Sequence, residues 1–334
     1  MTVKLSDQNN INSFSAKWKT QEVGFLFKIG PYHLFKFNFS ACVTREYIQD
    51  PIRFVDSLES LTKLPLGEME GHLLYSHRID GVLPRRFRIG ERLGYVPMIY
   101  DLRVTDLTLG VEAYWAQFSG KTRGTIKRKM RLFAKENNDK QDWKCYRTPE
   151  EVADFYKLAL PLSERTYQSK LWQGGLPSTS EFESQMLEAS ARDEVRAYLL
   201  FLHDEPVAYL YCQAEDDFLS YPYVGHDPAA AYISPGGVLM SLIIEHLQEN
   251  DRFHYLVFGH GEGQLKSVFS TESIHVANIF LLKSSWSNYC KIVLHDYFTR
   301  TVDVLLSFLK RMNLYDKLRR LIRQRAVKDE IAEM

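Results

Sequence analysis

Cysteine is scarce in this sequence and follows no metal-binding pattern. The chain has four cysteines, with no C-x-x-C motif and no Cys/His pair at the spacing of metal ligands. They are Cys42, Cys145, Cys212 and Cys290. We therefore expect neither a disulfide framework nor a metal site, and a reducing, cytoplasmic environment suits the chain.

The sequence also has no net charge and no long apolar run, and we expect no signal peptide. Lys plus Arg and Asp plus Glu both number 42, so the formal charge is zero, whereas proteins that mainly bind nucleic acid carry a cationic surplus. No uninterrupted apolar stretch reaches the roughly 18 residues of a transmembrane helix. The segment 1–14 lacks the apolar region of a signal peptide. A hydrophobic fraction of 45% and a length of 334 residues predict a globular chain of about two domains.

The first part of the chain has strand-like patterns and then a helical one. Residues 21–42 alternate apolar and polar positions around a Gly-Pro pair, which predicts two strands. A short helix is predicted near 51–63 and a further strand over 92–102. The polar segment NNDKQD, residues 137–142, is the expected domain boundary.

Residues 110–137 are predicted to be helical and to carry a basic face. This face is formed by Arg123, Lys127, Arg131 and Lys135, at successive spacings of four. Three interpretations fit it: solvent exposure, binding of an anionic sugar polymer or cofactor phosphate, and binding of nucleic acid. The last is the least favoured, because no stacking platform or RNA motif accompanies the basic residues.

The second half predicts an antiparallel meander covered by helices, which is an α+β or mixed α/β fold. Thr148 and Pro149 form a helix start, and another helix is expected over 178–192. The predicted strands are 195–202, 207–215, 218–225, 254–259 and 278–284, with a loop at 232–237, a helix over 238–250, another after 259 and a helical tail from 288.

The S-P-G-G segment, Ser234–Gly237, lies directly before a predicted helix. A helix N-terminus offers free backbone N–H groups and the positive end of the helix dipole, which suit a phosphate. The segment is neither G-x-G-x-x-G nor G-x-x-x-x-G-K-[ST], so a Rossmann fingerprint and a P-loop are excluded. A tight turn with a helix cap explains it equally well.

Taken in order, these segments resemble the GNAT superfamily of acyl-CoA transferases. The resemblance rests on AYLYCQAEDDFLSYPYVGHDPAAAYISPGGVLMSLIIEHL, followed by HYLVFGHGEGQLKSVF, and covers about residues 90–285. YVPMIYDL, AYWAQFSGKTRGTIKRKMRLF and LSERTYQSKLWQGGLP narrow it to the CelD-like, FemAB-related branch. It implies tandem GNAT-like folds, with a degenerate domain over 1–142, an acyl-CoA-binding domain over 143–290 and a basic helical tail over 291–334.

The resemblance implies a cytoplasmic N-acyltransferase with acyl-CoA, acetyl-CoA in the simplest case, as co-substrate. The acceptor would be an amine of a small molecule or saccharide, as in polysaccharide or cell-envelope biosynthesis, and no metal is implied. Two alternatives remain open: a Fem-type transferase that uses aminoacyl-tRNA, and a non-catalytic adaptor that binds a membrane or polymer. The sequence departs from the family at Val257, where an acidic residue is common, and at Leu265, where a tyrosine is common.

Candidate site residues come from this resemblance and from acid–base chemistry. The resemblance places the pyrophosphate on the backbone amides of Ser234–Val238 and the acyl arm along the strand 218–225. Amine attack on a thioester also needs groups that transfer protons. The catalytic candidates are His260, Glu262 and Tyr223, with His226 a further titratable group; the cofactor-binding candidates are Tyr221, Val224, Ser234, Gly236, Gly237, Val238 and Lys266; the substrate-binding candidates are Arg165, Tyr167 and Gln168.

The end of the sequence is strongly basic. Residues 308–328 contain eight Lys or Arg and one Asp, with apolar residues interspersed at helical spacing. A basic amphipathic helix of this kind docks on its own domain or lies on an anionic surface at the inner face of a membrane. The sequence allows both interpretations.

Overall fold

The chain folds as two units, one of which is assembled from two separated stretches of sequence. The structure is a computed structural model, and it describes residues 18–29, 32–45, 58–62, 66–166, 175–215, 217–259 and 263–312. The first unit is drawn from the described residues up to Asp101 and from Ile274 onward, and the second is Leu102–Ser273. This division differs from the predicted boundaries after residues 142 and 290; the assignment of two GNAT-like domains stays a prediction.

The described elements are strands and helices that mostly follow one another in groups of two or three of the same kind. In chain order they are β1 Lys19–Ile29, β2 Tyr32–Arg45, α1 Glu59–Thr62, β3 Gly71–Arg78, β4 Arg86–Ile89, β5 Arg92–Asp106, α2 Val111–Ala116, α3 Gly120–Glu136, β6 Asp142–Tyr146, α4 Pro149–Arg165, α5 Ser180–Ala191, β7 Val195–Leu202, β8 Glu205–Glu215, β9 Phe218–His226, a 3-10 helix Pro228–Ile233, α6 Pro235–Asn250, β10 Tyr255–Val257, α7 Gln264–Phe269, β11 Glu272–Lys283 and α8 Trp286–Arg311.

The first unit is a strand layer on which α8 packs. β1 and β2 are antiparallel, β2 is parallel to β3, and β3 is antiparallel to β11. An aromatic cluster fills the space under α8, where Phe25 contacts Phe39, Tyr95 and Phe280 edge-on, with ring centroids 5.1–5.3 Å apart. The alternation of residues 21–42 arises from this arrangement, since only one face of β1 and β2 packs on the cluster.

A bulge bends β3 in the middle. Ser76 has a φ of 54°, in the left-handed region, and the register against β11 shifts between Ala277 and Ile279. The N–H of Ser76 donates to Oδ1 of Asn278 at 2.8 Å, so the backbone group that the bulge releases is still satisfied. The bulge changes which face the following residue occupies.

The second unit is a meander with helices on both faces. β6 to β9 pair antiparallel in chain order, and β10 is parallel to β9. Tyr198 and Leu200 of β7 pack into the cluster under α3 and α6, whereas Ala197 and Leu199 pack into the cluster under α4 and α5. Both faces of the central strands are thus buried, which explains their nearly continuous apolar sequence.

A buried ion pair joins β7 to the end of α6. Arg196 is fully buried and its Nε donates to Oδ2 of Asp251 at 2.5 Å, while Nη1 donates to Oδ1 of Asp193 at 2.8 Å. Burial disfavours the charged guanidinium, but the two carboxylates outweigh it and hold the pKa of Arg196 above its usual value. The pair orients α6 relative to the sheet.

Several sequence predictions of elements are confirmed. The strands over 21–42 and 92–102, the meander, the helix over 178–192 and the final strand are present. Thr148 caps α4 in a complete capping box with Glu151. The helices α6 and α8 also lie where the pattern placed them.

Three predictions of elements need correction. Residues 110–137 form two helices rather than one, because Ser119 starts a new helix by accepting a hydrogen bond from the N–H of Thr122. The expected loop 232–237 is a 3-10 helix followed directly by the first turn of α6. β10 ends at Val257 rather than at residue 259. Residues 51–57 and the tail beyond 312 lie outside the described residues.

Candidate active site

A cavity of about 380 Å³ lies within the second unit. It is bounded by α3, by the end of the 3-10 helix and the first turn of α6, by α7, and by His226 at the end of β9. The volume falls in the range of small-molecule and cofactor sites.

The first turn of α6 presents one free backbone amide to this cavity. The N–H groups of Gly237 and Val238 both donate to the carbonyl of Ser234, at 3.0 and 3.1 Å. Pro235 has no N–H, and the described residues provide no hydrogen-bond partner for the N–H of Gly236. The expected set of amides over Ser234–Val238 is therefore reduced to that of Gly236, which the positive end of the α6 dipole reinforces.

Lysines on α3 add positive charge to the cavity. Lys121, Thr125 and Lys129 lie at i, i+4 and i+8, on the face of α3 that lines the cavity. α3 is held in place by apolar contacts of Ile126, which also lines the cavity, and of the fully buried Phe133. None of the described lining residues is acidic, so the cavity suits an anionic ligand.

The remaining wall of the cavity is apolar. It is formed by Met130 of α3, Val238 of α6, and Leu265, Val268 and Phe269 of α7. The end of α7 is fixed because the carbonyl of Phe269 accepts hydrogen bonds from two hydroxyls, Oγ1 of Thr105 at 2.8 Å and the phenol of Tyr114 at 2.9 Å. The cavity thus combines a cationic end with an apolar wall.

β9 and β10 separate next to this cavity. They pair in parallel as far as Ser220 and Val257, and β9 then continues to His226 paired with β8 but not with β10. A bulge falls on β9 at this point, because Gln213 pairs with Ser220 but Tyr211 pairs with Tyr223. The bulge reverses which face each residue occupies, so that His226 reaches the cavity.

Four predicted cofactor-binding residues line the cavity, namely Ser234, Gly236, Gly237 and Val238. The other three do not. Tyr221 and Val224 pack in the adjoining apolar cluster, and the Nζ of half-buried Lys266 donates to the carbonyl of Gly259 at 3.4 Å. Burial lowers the pKa of Lys266 and raises that of Tyr221.

Among the described residues, the predicted catalytic residue Tyr223 and the predicted substrate-binding residue Arg165 do not line this cavity. Tyr223 packs against Phe182 on the opposite face of the sheet, with ring centroids 5.3 Å apart. Nη2 of Arg165 lies 3.5 Å from Oδ2 of Asp227 and does not line the cavity. His260, Glu262, Tyr167 and Gln168 lie outside the described residues, so their roles stay predictions.

His226 is the titratable side chain, besides the two lysines, that lines the cavity among the described residues. Partial desolvation lowers the pKa of His226, with Asp227 opposing the shift. Its imidazole is therefore neutral near pH 7. Nδ1 of His226 lies 3.7 Å from the position that a Cβ on Gly236 would take, which puts the ring beside the free amide.

The basic stripe predicted on α3 lies outside the cavity, and its members Lys127, Arg131 and Lys135 are exposed, as the solvent-exposed interpretation expects. The predicted stripe of Arg123, Lys127, Arg131 and Lys135 does not line the cavity, whereas Lys121 and Lys129 do. The spacing Lys121, Thr125, Lys129 was readable in the sequence, but periodicity alone cannot say which of two polar faces meets the cavity. Of the two departures from the family pattern, Leu265 lines the cavity and Val257 is buried.

The described residues provide neither a membrane-spanning helix nor a metal cluster. No helix among them is long and apolar enough to cross a membrane. Within the same residues, no group of three or more His, Cys, Asp or Glu could hold a metal ion.

Residues 120–267 match the family model described as "Acetyltransferase (GNAT) domain". The matched segment begins at the first residue of α3 and ends within α7, so it contains nearly all of the cavity lining. No curated protein matches the chain at a significant level. The GNAT resemblance is confirmed over this segment, while the CelD-like branch stays a prediction.

Three solved structures are similar to this chain at low sequence identity. FemX has a TM-score of 0.50 and 8% identity over 86% of this chain and 94% of its own. The C-terminal DUF2156 domain of a protein named as a lysylphosphatidylglycerol synthetase, from Agrobacterium fabrum, has a TM-score of 0.47 and 10% identity over 85% of each chain. L-PGS from Bacillus licheniformis has a TM-score of 0.42 and 11% identity over 90% of this chain and 99% of its own. The similarity to FemX indicates the fold alone, a mixed α/β fold of GNAT type.

Proposed function

We propose that the protein is an acyl-CoA-dependent N-acyltransferase. It would transfer an acyl group, acetyl in the simplest case, to an amine of a small molecule or saccharide. The observation that carries the proposal is the cavity in which the free amide of Gly236 and the lysines Lys121 and Lys129 meet beside an apolar wall. Coenzyme A matches this arrangement, because it has a negatively charged diphosphate at one end and an uncharged arm at the other.

The phosphates of the donor would be bound by the lysine side chains of α3 and the positive end of the α6 dipole rather than by a glycine-rich loop. The amide of Gly236, the start of α6 and the two lysines would hold the diphosphate. The arm would extend toward the place where β9 and β10 separate after Ser220 and Val257. Because no described lining residue is acidic, nothing in this part of the cavity repels the phosphates.

The reaction would be a direct displacement at the thioester. The amine nitrogen bonds to the acyl carbon, the carbon–sulfur bond breaks, and the proton lost by the amine goes to a base while the thiolate is protonated. His226 is neutral near pH 7, but it lies at the phosphate end of the cavity. We therefore propose that proton transfer falls to His260 or Glu262, which follow β10 in the sequence.

A thermal-shift titration with acetyl-CoA tests the proposal. A ligand that binds only the native state adds about 2.7 kcal/mol at 100 times its Kd, so the melting temperature should rise by several degrees. Gly237→Asp should abolish the rise, because it sets a carboxylate beside the phosphates. The helix should tolerate this change, because an acidic side chain in the first turn interacts favourably with the helix dipole and the nearest neighbour of a Cβ at this position, the Leu265 side chain, is 3.9 Å away.

Two matched controls make the titration specific. Gly237→Asn has nearly the same shape without the charge and should keep most of the shift. Lys121→Gln and Lys129→Gln should weaken acetyl-CoA binding, whereas Lys135→Gln, exposed on the same helix away from the cavity, should not. The absence of any rise with acetyl-CoA or longer acyl-CoA esters would reject the proposal.

A second candidate is a Fem-type transferase that uses aminoacyl-tRNA. The observation that favours it is the other basic row of α3, in which Lys127, Arg131 and Lys135 are exposed. A nucleic-acid ligand would bind in a strongly salt-dependent way. Salt-sensitive tRNA binding that Lys127→Gln/Arg131→Gln weakens, with no shift by acetyl-CoA, would establish this candidate instead.

A further inference from the structure

Helix α8 packs on the first unit with one side and exposes an apolar opposite side. Ile292, His295 and Asp296 point inward and are buried. The exposed large apolar side chains are Trp286, Tyr289, Leu294, Tyr297, Val304, Leu305, Phe308 and Met312, with Trp286 78% and Val304 70% exposed. An ordinary surface helix has the reverse pattern, polar outward and apolar inward.

These exposed residues form a stripe about 160° wide on one side of α8. At about 100° per residue, Trp286, Tyr297, Val304 and Phe308 fall within about 40° of a single line along α8. A helix of 26 residues is about 39 Å long, and the stripe runs over all of it. Soluble monomers rarely expose an apolar patch of this extent without a partner.

The composition of the stripe is that of an interfacial helix. Trp286, Tyr289 and Tyr297 are amphipathic aromatic residues, which are enriched where a membrane meets water. Leu294, Leu305 and Phe308 supply the purely apolar part of the surface. A helix of this type lies in the plane of the membrane with its apolar side at the level of the headgroups.

A cluster of three arginines around a single buried aspartate lies beside the stripe. Asp296, 1% exposed, receives Arg85 Nε at 2.8 Å, Arg86 Nε at 3.2 Å and Arg300 Nε at 3.1 Å. Among the described residues, three guanidinium groups share this one carboxylate, which leaves an excess of two positive charges at the cluster. The guanidinium of Arg86 also lies 5.7 Å from the ring centre of Tyr297, which places the charge beside the stripe.

We infer that the exposed face of α8 docks on an anionic lipid bilayer. The apolar side chains would enter the headgroup region and the arginines would meet lipid phosphates. Two other occupants fit the charge less well. A second copy would bring two cationic clusters together. Residues 313–328 of this chain carry six Lys or Arg and one Asp, so they too would be repelled by the arginines. The inference does not depend on the proposed enzymatic function.

Vesicle flotation with the full chain tests the inference. Vesicles that contain phosphatidylglycerol should bind the protein, and vesicles of phosphatidylcholine alone should bind it much less. Val304→Asp/Phe308→Asp should lower partitioning at least tenfold, because charged groups then face the lipid. Val82→Asp is the control for added charge: it places one carboxylate, against two in the double substitution, on the same unit at a residue that is 90% exposed but not on α8, and it should change partitioning less than twofold.

Tryptophan fluorescence gives a second readout at the stripe itself. Brominated lipids should quench the wild type, and Trp286→Phe should remove that part of the quenching while binding persists. Truncation after residue 312 separates α8 from the basic tail. If the truncated chain loses all binding while Val304→Asp/Phe308→Asp binds like wild type, the tail is the membrane contact and the inference is wrong. A concentration-dependent dimer that the same double substitution disrupts, without vesicle binding, would also overturn it.

Discussion

At the scale of single residues, Ser234 is the least expected feature of the site. Its φ of 56° and ψ of 50° place a non-glycine residue in the left-handed region, directly before α6. This conformation costs an L-residue roughly 1–2 kcal/mol. The hydroxyl makes no capping hydrogen bond and lines the cavity, so it is available to a ligand.

We predict that Ser234→Gly stabilises the fold and weakens the donor site. Glycine adopts the left-handed conformation freely, and after its own entropic cost the gain should be about 0.5–1 kcal/mol in the free energy of unfolding. Affinity for acetyl-CoA should fall through loss of the hydroxyl. Urea denaturation and the thermal-shift titration measure the two effects. Asn138→Gly is the control, since Asn138 is also left-handed, with a φ of 55°, but does not line the cavity; it should stabilise without affecting binding.

The sequence identified half of this site and could not identify the rest. The S-P-G-G segment indicated a helix start. The sequence does not reveal, however, that Ser234 is the residue of this segment with a left-handed backbone, or that Gly236 is the residue of the segment whose N–H has no partner among the described residues. Lys121 and Lys129 could not be recognised as cavity residues from the sequence, because α3 carries basic residues on two sides. Which side meets the cavity depends on how Ile126 and Phe133 pack, and that is a tertiary property.

At the scale of elements, β3 buries two histidines without full hydrogen bonding. Nδ1 of His72 and Nδ1 of His77 are buried and have no partner among the described residues. The bulge at Ser76 allows both rings to lie inside although their positions differ in parity. Burial lowers the pKa of each to about 4, with Arg92 contributing at His72.

We predict that the first unit loses stability as the pH falls from about 6.5 toward 4. In that range His72 and His77 bind protons in the unfolded chain, where their pKa is near 6.5, but remain neutral in the folded state. Each histidine then contributes a slope of up to about 1.4 kcal/mol per pH unit, and above pH 7 the contribution is flat. Urea denaturation at pH 7.5, 6.0 and 5.0 measures this. In His72→Gln/His77→Gln the slope should be smaller; an equal slope in the variant would contradict the assignment.

Element predictions succeeded where a local signal has one physical meaning. The capping box Thr148–Glu151 fixed the start of α4, and polar turns separated the strands of the meander. They failed where local signals compete. Ser119 is a good N-cap inside a helical pattern, and it split the expected helix into α2 and α3. Pro235 at the first position of α6 turned an expected loop into helix.

At the scale of the whole molecule, the second unit is self-contained. Its two apolar clusters consist only of residues between Leu107 and Phe269, and β10 pairs with the last three residues of β5, Val104–Asp106.

We predict that residues 102–273 fold when expressed alone. Circular dichroism should show a cooperative urea transition, and acetyl-CoA should raise its melting temperature as in the full chain. An aggregated or non-cooperative product would show that the unit needs the rest of the chain.

The discontinuity of the first unit has a consequence for synthesis on the ribosome. β3 pairs with β11, and the cluster around Phe25 is completed by Phe280, Leu282 and Ile292. The roughly 170 intervening residues take about 10–30 s to translate at typical rates. During that interval β3 lacks its partner β11, so the nascent chain exposes an unpaired strand edge and aromatic surface that favour aggregation, while the later unit can already fold.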